Sequence, residues 1–184
     1  MVDLVGLHKH FIMEHLREGD VAVDFTMGNG NDTLFLSKAV GERGRVYAFD
    51  IQEDALISTR EHLIKEGAPE NYTLICASYH KVKEFVREPI KAGMFNLGYL
   101  PGAGNKQLTT KRSTTLPAVQ KAMEMLGENA VLLVAVYPGH PEGAAEGREL
   151  TEYFSTISRF KYSISQFRML NSPESPFFMV IETK

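Results

Sequence analysis

The chain has 184 residues, 43% hydrophobic and 23% charged, and a formal net charge of −3. That length suits one domain with its own core, and the slight acidity argues against broad, non-specific binding to nucleic acid. A single cysteine, Cys76, excludes an intramolecular disulfide, and no Cys/His cluster has zinc-finger spacing.

No apolar run approaches the roughly 18 residues of a membrane span. The opening "MVDLVGLHKHF" lacks a basic region followed by an apolar one, so a cytoplasmic protein is expected. "LVGLHKHFIMEHL" has amphipathic spacing and predicts a leading helix. Its His8, His10 and His15 have no accompanying Cys or carboxylate pattern, and no metal site is expected there.

Five short runs rich in Val, Ile, Phe and Tyr follow, as buried strands should be: "VAVDF", "RVYAFD", "TLICAS", "MFNLGY" and "AVLLVAVY". Helical patterns lie between them. "DTLFLSKAV" opens near Asp32 and stops at Gly41. "EDALISTREHLIKE" carries Leu56, Leu63 and Ile64 on one face and ends at Gly67. "KVKEFVRE" ends before Pro89, and "LPAVQKAMEML" places Pro117 in its first turn with Gly127 beyond. The tail, "KYSISQFRML" and "PFFMVIETK" around the turn "NSPES", reads as two antiparallel strands. These elements predict an α/β fold with a seven-stranded, mostly parallel sheet, an antiparallel C-terminal pair, and helices on both faces.

The stretch "VDFTMGNGND", Val23 to Asp32, joins the first strand to the first crossover helix, where α/β sheets place ligands. No phosphate-binding G-x-x-x-x-G-K-[ST] loop occurs. The dinucleotide pattern starting at Gly28 and Gly30 has Thr33 in place of its third glycine, and Asp32 would repel a phosphate there. A nucleoside without phosphates and with positive charge fits better. S-adenosylmethionine is such a ligand, its cations attracted by Asp24 and Asp32. Asp50, some twenty residues after Gly30, is placed to grip the ribose hydroxyls.

The arrangement resembles the class I S-adenosylmethionine-dependent methyltransferases, with their Rossmann-like fold. More closely, it is similar to a small single-domain group labelled rRNA methylases, which includes MnmM-type enzymes acting on the 5-aminomethyl group of the wobble 2-thiouridine in tRNA. The resemblance covers nearly the whole chain as one methyltransferase domain, and rests on "GDVAVDFTMGNGNDTLFL", "GRVYAFDIQ", "SYHK", "FNLGYLPG" and "VYPGHPEG". It implies that Asp24, Met27, Gly28, Asn29, Gly30, Asn31 and Asp32 surround the methionine part of the cofactor. Asp50 would take the ribose, Ile51 and Gln52 would flank the adenine, and Ser78 and His80 would close that end. Two positions depart from the group's pattern: Asn31 stands where His is usual, and "GAGNK", Gly102 to Lys106, where Gly-Gly-Asp-Lys is usual.

On the acceptor side, the resemblance gives Asn96 the role of holding the acceptor nitrogen. Its side-chain oxygen accepts from an amine and aims the lone pair. Tyr99 would stack on or hydrogen-bond to the base, beside a slot shaped by Pro101 and Gly102. Read without the resemblance, Asn96 is as well a turn residue and Tyr99 a half-buried core aromatic.

Cys76 lies in a strand-like run and is expected to be a buried core thiol, which disfavours cysteine-dependent pyrimidine methylation. "VYPGHPEG" is expected to form a rigid loop over the site, with His140 either on substrate or simply exposed. No acidic residue occurs between Glu88 and Glu124, where Lys106, Lys111 and Arg112 follow the acceptor loop as candidate phosphate contacts. The expected reaction is N-methylation of the aminomethyl group in a tRNA anticodon loop, by the domain alone or as a homodimer. An rRNA base, a small amine, a non-catalytic nucleoside-binding domain and a nicotinamide enzyme remain the alternatives.

Overall fold

The computed structural model describes residues 4–97 and 112–184. Helix α1 (Leu4–His15) precedes an alternation of β1 (Val21–Asp24), α2 (Asn31–Val40), β2 (Arg45–Asp50), α3 (Glu53–Lys65) and β3 (Tyr72–Cys76). A single 3-10 turn at Tyr79–Lys81 leads into α4 (Val82–Phe85) and then β4 (Ile90–Leu97). In the second described stretch come α5 (Arg112–Met125), β5 (Leu126–Val136), α6 (Pro141–Ser155), β6 (Tyr162–Phe167) and β7 (Phe177–Thr183).

The sheet has seven strands in the order β3-β2-β1-β4-β5-β7-β6. β1 to β5 pair in parallel, and β7 pairs antiparallel with both β5 and β6. Alternating side chains load the two faces. Ala92, Met94, Val131, Leu133, Phe178 and Val180 pack with Ile12, Leu36 and Val40 of the α1–α2 side. Phe95, Leu97, Leu132, Val134, Phe177 and Met179 pack with Val119, Met123, Leu150 and Phe154 of α5 and α6. Burial on both faces explains why the central strands read as continuous apolar runs.

Several expectations need correction. α5 begins at Arg112, so Pro117 lies inside the helix rather than in its first turn. The buried face of α3 is Ala55, Thr59 and Leu63, while Ile64 is 69% exposed. Of "KVKEFVRE", Lys81 closes the 3-10 turn, Val82–Phe85 form the one-turn α4, and residues 86–88 lie outside the helix. Cys76 is exposed, not a core thiol, because β3 is an edge strand and Cys76 ends it. The loop expected from "VYPGHPEG" is short: Pro141 already opens the fifteen-residue α6, which the sequence reading did not contain.

Candidate active site

Strand order reverses between β1 and β4, and in such sheets the crevice beyond the strands' carboxyl ends takes the ligand. Asp24, Asp50, Cys76 and Asn96 all stand at or next to carboxyl ends of parallel strands, as does Tyr137, which follows β5. The reversal point is locked from beneath. The ring of Phe25, just after β1, stacks on that of Phe95 in β4 with centroids 4.1 Å apart and planes 3° off parallel. Tyr79 meets Phe95 edge-on.

The turn after β1 needs its glycines. Gly28 and Gly30 have φ of 51° and 82°, in the left-handed region that costs other residues strain. A Cβ on Gly30 would also stand 2.9 Å from the Thr59 methyl. α3 pins this turn from the side: Thr59 Oγ1 donates to the Gly28 carbonyl and Ser58 Oγ to Asn29 Oδ1. Met27 turns its side chain into the core, 3% exposed, and its N–H donates to the Phe49 carbonyl. Asn31 opens α2 and is exposed.

Three carboxylates border the turn. Asp24 is fully buried and accepts from Thr33 Oγ1 at 2.6 Å and from the Thr26 N–H at 3.0 Å. Burial, with Asp32 next in weight and Asp50 adding to it, pushes its carboxyl up to about 7 against those two hydrogen bonds. Asp50 accepts from the Gly28 and Gln52 N–H groups. This set of carboxylates fits S-adenosylmethionine, whose sulfonium and ammonium it would attract, and would repel a phosphate. Ile51, 58% exposed beside Asp50, is an apolar side chain open for an adenine ring to cover. At the same end, His80 Nδ1 pairs with Ser78 Oγ at 2.8 Å, and Lys121 Nζ holds the His80 carbonyl.

Asn96 stands at the carboxyl end of β4, beside the reversal point. Its N–H donates to Thr26 Oγ1 at 2.7 Å, and its Nδ2 donates to Asp32 Oδ2 at 2.6 Å. Asp32 thus faces Asn96 as well as the turn. Lys9 of α1 approaches its other oxygen at 3.4 Å. Tyr137 was not singled out in the sequence, though it sits in the motif "VYPGHPEG". Its phenol is raised above the ordinary value by burial and, second, by the Asp32 carboxylate, so it remains a neutral donor at the end of β5.

His140 is not a free loop residue. It caps α6, its Nδ1 accepting from the Gly143 N–H at 3.1 Å, while its Nε2 is buried. Tyr99, Pro101, Lys106 and Lys111 lie outside the described residues, and Arg112 is described only as the first residue of α5. Lys91 and Lys121 of the same acid-free span are engaged by the carbonyls of Glu128 and His80. Among the described residues no cluster of His, Cys, Asp or Glu could hold a metal, and His15 instead bonds Glu182 and Asn129. No described helix is long and apolar enough to cross a membrane.

Comparison with known proteins agrees with this geometry. A family model described as "Putative rRNA methylase" matches residues 46–182, and a ubiE/COQ5 methyltransferase model matches residues 3–88. A tRNA (mnm(5)s(2)U34)-methyltransferase, chloroplastic, from Arabidopsis thaliana is 38% identical over 91% of this chain. The chain spans 65% of that relative's length. A "putative rRNA-methylase" from Clostridium thermocellum superposes with a TM-score of 0.95 at 34% identity, over 100% of this chain and 99% of the other. A "putative methyltransferase" from Streptococcus mutans in complex with SAH gives 0.89 at 35% identity, over 100% and 99%. The cofactor crevice, the strand order and these matches agree: the chain belongs to the "Putative rRNA methylase" family and has the Rossmann-like fold of class I S-adenosylmethionine-dependent methyltransferases.

Proposed function

We propose that this methyltransferase transfers a methyl group from S-adenosylmethionine to the nitrogen of a 5-aminomethyl group on the wobble 2-thiouridine of tRNA. The observation that carries this reading is the state of Asn96. With Nδ2 committed to Asp32, its Oδ1 remains to accept an N–H from an amine at the edge of a carboxylate-lined crevice. The Arabidopsis relative, named for a tRNA position-34 methylation, supports the choice of acceptor.

In this reading Asp50 and the Gly28–Gly30 turn hold the ligand's nucleoside and methionine ends, and Asn96 aims the acceptor lone pair. S-adenosylmethionine supplies an electrophilic methyl carbon and leaves as a neutral thioether. The nitrogen lone pair forms the new N–C bond as the C–S bond breaks, and the nitrogen's proton passes to water. Tyr99 would stack on the splayed base, and Pro101, Lys106, Lys111 and Arg112 would shape the slot and meet phosphates of the anticodon loop. A monomer or a homodimer would supply the RNA surface, and cytoplasmic tRNA is the substrate pool this reading assumes.

The test is methyl transfer from labelled S-adenosylmethionine to total tRNA from cells lacking this activity, followed by nucleoside mass spectrometry. Gain of methylaminomethyl-thiouridine at the expense of its aminomethyl precursor is expected. No incorporation into tRNA, with cofactor still bound, would overturn the acceptor and point to rRNA or a small amine.

A further inference from the structure

An amide can serve an acceptor amine only one way round, because a flipped side chain would present its own N–H groups. Asn96 therefore needs something to fix its orientation. Asp32 Oδ2 stands 2.6 Å from Asn96 Nδ2, and an ionised carboxylate only accepts, so it selects a single flip. Asp32 is itself held. It sits on the first turn of α2, and Lys9 Nζ approaches Oδ1 at 3.4 Å while lying 5.0 Å from the centre of the Phe35 ring. The backbone of Asn96 is fixed separately by Thr26 Oγ1. Three parts of the chain thus connect in series: Lys9 of α1 meets Asp32 of α2, and Asp32 meets the Asn96 amide of β4.

From this geometry we propose that Asp32 is a positioning residue for methyl transfer, orienting the Asn96 amide toward the acceptor nitrogen, with Lys9 of α1 bracing it. The inference rests on the amine-methylation reading above and deepens it. Asp32 acts through Asn96 in addition to bordering the cofactor turn. α1 becomes part of the acceptor site rather than only a cover for the sheet.

The experiment uses the full chain with Asp32→Ala, Asp32→Asn and Lys9→Met. Three quantities are read: affinity for S-adenosylhomocysteine, kcat and KM for tRNA, and the NMR resonances of the Asn96 side-chain amide without substrate. S-adenosylhomocysteine lacks the sulfonium charge, so it reports the pocket with less electrostatic bias. Asp32→Ala should lower kcat at saturating S-adenosylmethionine about tenfold to a hundredfold, a loss that more cofactor does not restore. It should also shift the Asn96 amide protons upfield, as the charge-assisted bond is lost. Asp32→Asn should recover part of kcat, since its Oδ1 can still accept from Asn96 Nδ2, and Lys9→Met should fall between it and the wild type. An unchanged kcat in Asp32→Ala, a loss confined to cofactor affinity, or an unmoved Asn96 resonance would overturn the proposal. If the wild-type chain methylates no tRNA, the functional reading falls. The amide resonance still decides whether Asp32 orients Asn96.

Discussion

Asp50 fastens the end of β2 across to the glycine turn after β1: one of its oxygens takes the Gly28 N–H at 3.1 Å and the other the Gln52 N–H at 3.0 Å. Each oxygen keeps a second lone pair, so the same carboxylate can shape the turn and still accept from ribose hydroxyls. Asp50→Ala should weaken S-adenosylmethionine binding by at least about tenfold, at roughly 1.5–3 kcal/mol for each charge-assisted bond. Titration calorimetry reads this, and unchanged affinity would remove Asp50 from the cofactor site.

Asp24 gives the fold a pH dependence of definite sign. Its carboxyl is raised from 3.8 to about 7, so between those values the folded chain binds more protons than the unfolded one. This group's contribution to stability therefore falls as pH rises through that window and levels off above it. Asp24→Asn, which cannot ionise, should lose that slope. The difference in Tm between the Asp24→Asn variant and the wild type should widen from pH 5 to pH 8 by roughly several degrees. A constant difference would mean that Asp24 is already ionised at pH 5.

The same group should tune ligand choice. An ionised Asp24 attracts a sulfonium more than a neutral thioether, and its ionised fraction grows as pH approaches about 7. The preference for S-adenosylmethionine over S-adenosylhomocysteine should rise severalfold between about pH 5.5 and 8 in the wild type, and stay flat in Asp24→Asn. Calorimetry with both ligands at the two pH values checks it. A wild-type ratio that does not move would contradict it.

Gly143 is where α6 meets the segment that follows β5. A Cβ there would stand 2.1 Å from the Tyr137 carbonyl oxygen and 2.9 Å from His140 Nε2, so the backbone must shift to admit it. Gly143→Ala should cost about 1–3 kcal/mol, disturb the His140 cap, and lower turnover by moving Tyr137. Thermal melts and kcat on the same preparation test this. A Tm and kcat equal to wild type would show that the loop absorbs the methyl group freely.

What the sequence revealed and concealed follows from the range of the interactions. The glycine turn was readable because its glycines, its polar side chains and Asp24 are local, and Asp50 follows at a spacing set by one βαβ unit. The Asp32–Asn96 bond joins residues 64 positions apart, and nothing local announces it. Cys76 looked buried because an apolar run does not say whether its strand is central or at the edge. α6 was missed because Pro141, Gly143 and Gly147 resemble loop residues. Pro141 instead opens the helix, and Gly147 lets it approach the sheet, where a Cβ would sit 3.0 Å from the Phe177 ring.

On the proposed function, a cofactor half at Asp50 and the glycine turn is separate from an acceptor half at Asn96. The deciding measurement is Asn96→Ala, assayed for S-adenosylmethionine binding by calorimetry and for methyl transfer to tRNA on the same preparation. The expected result is affinity within about threefold of wild type and transfer reduced about a hundredfold or more. Equal loss of both would merge the two halves, and undiminished transfer would take Asn96 out of the chemistry.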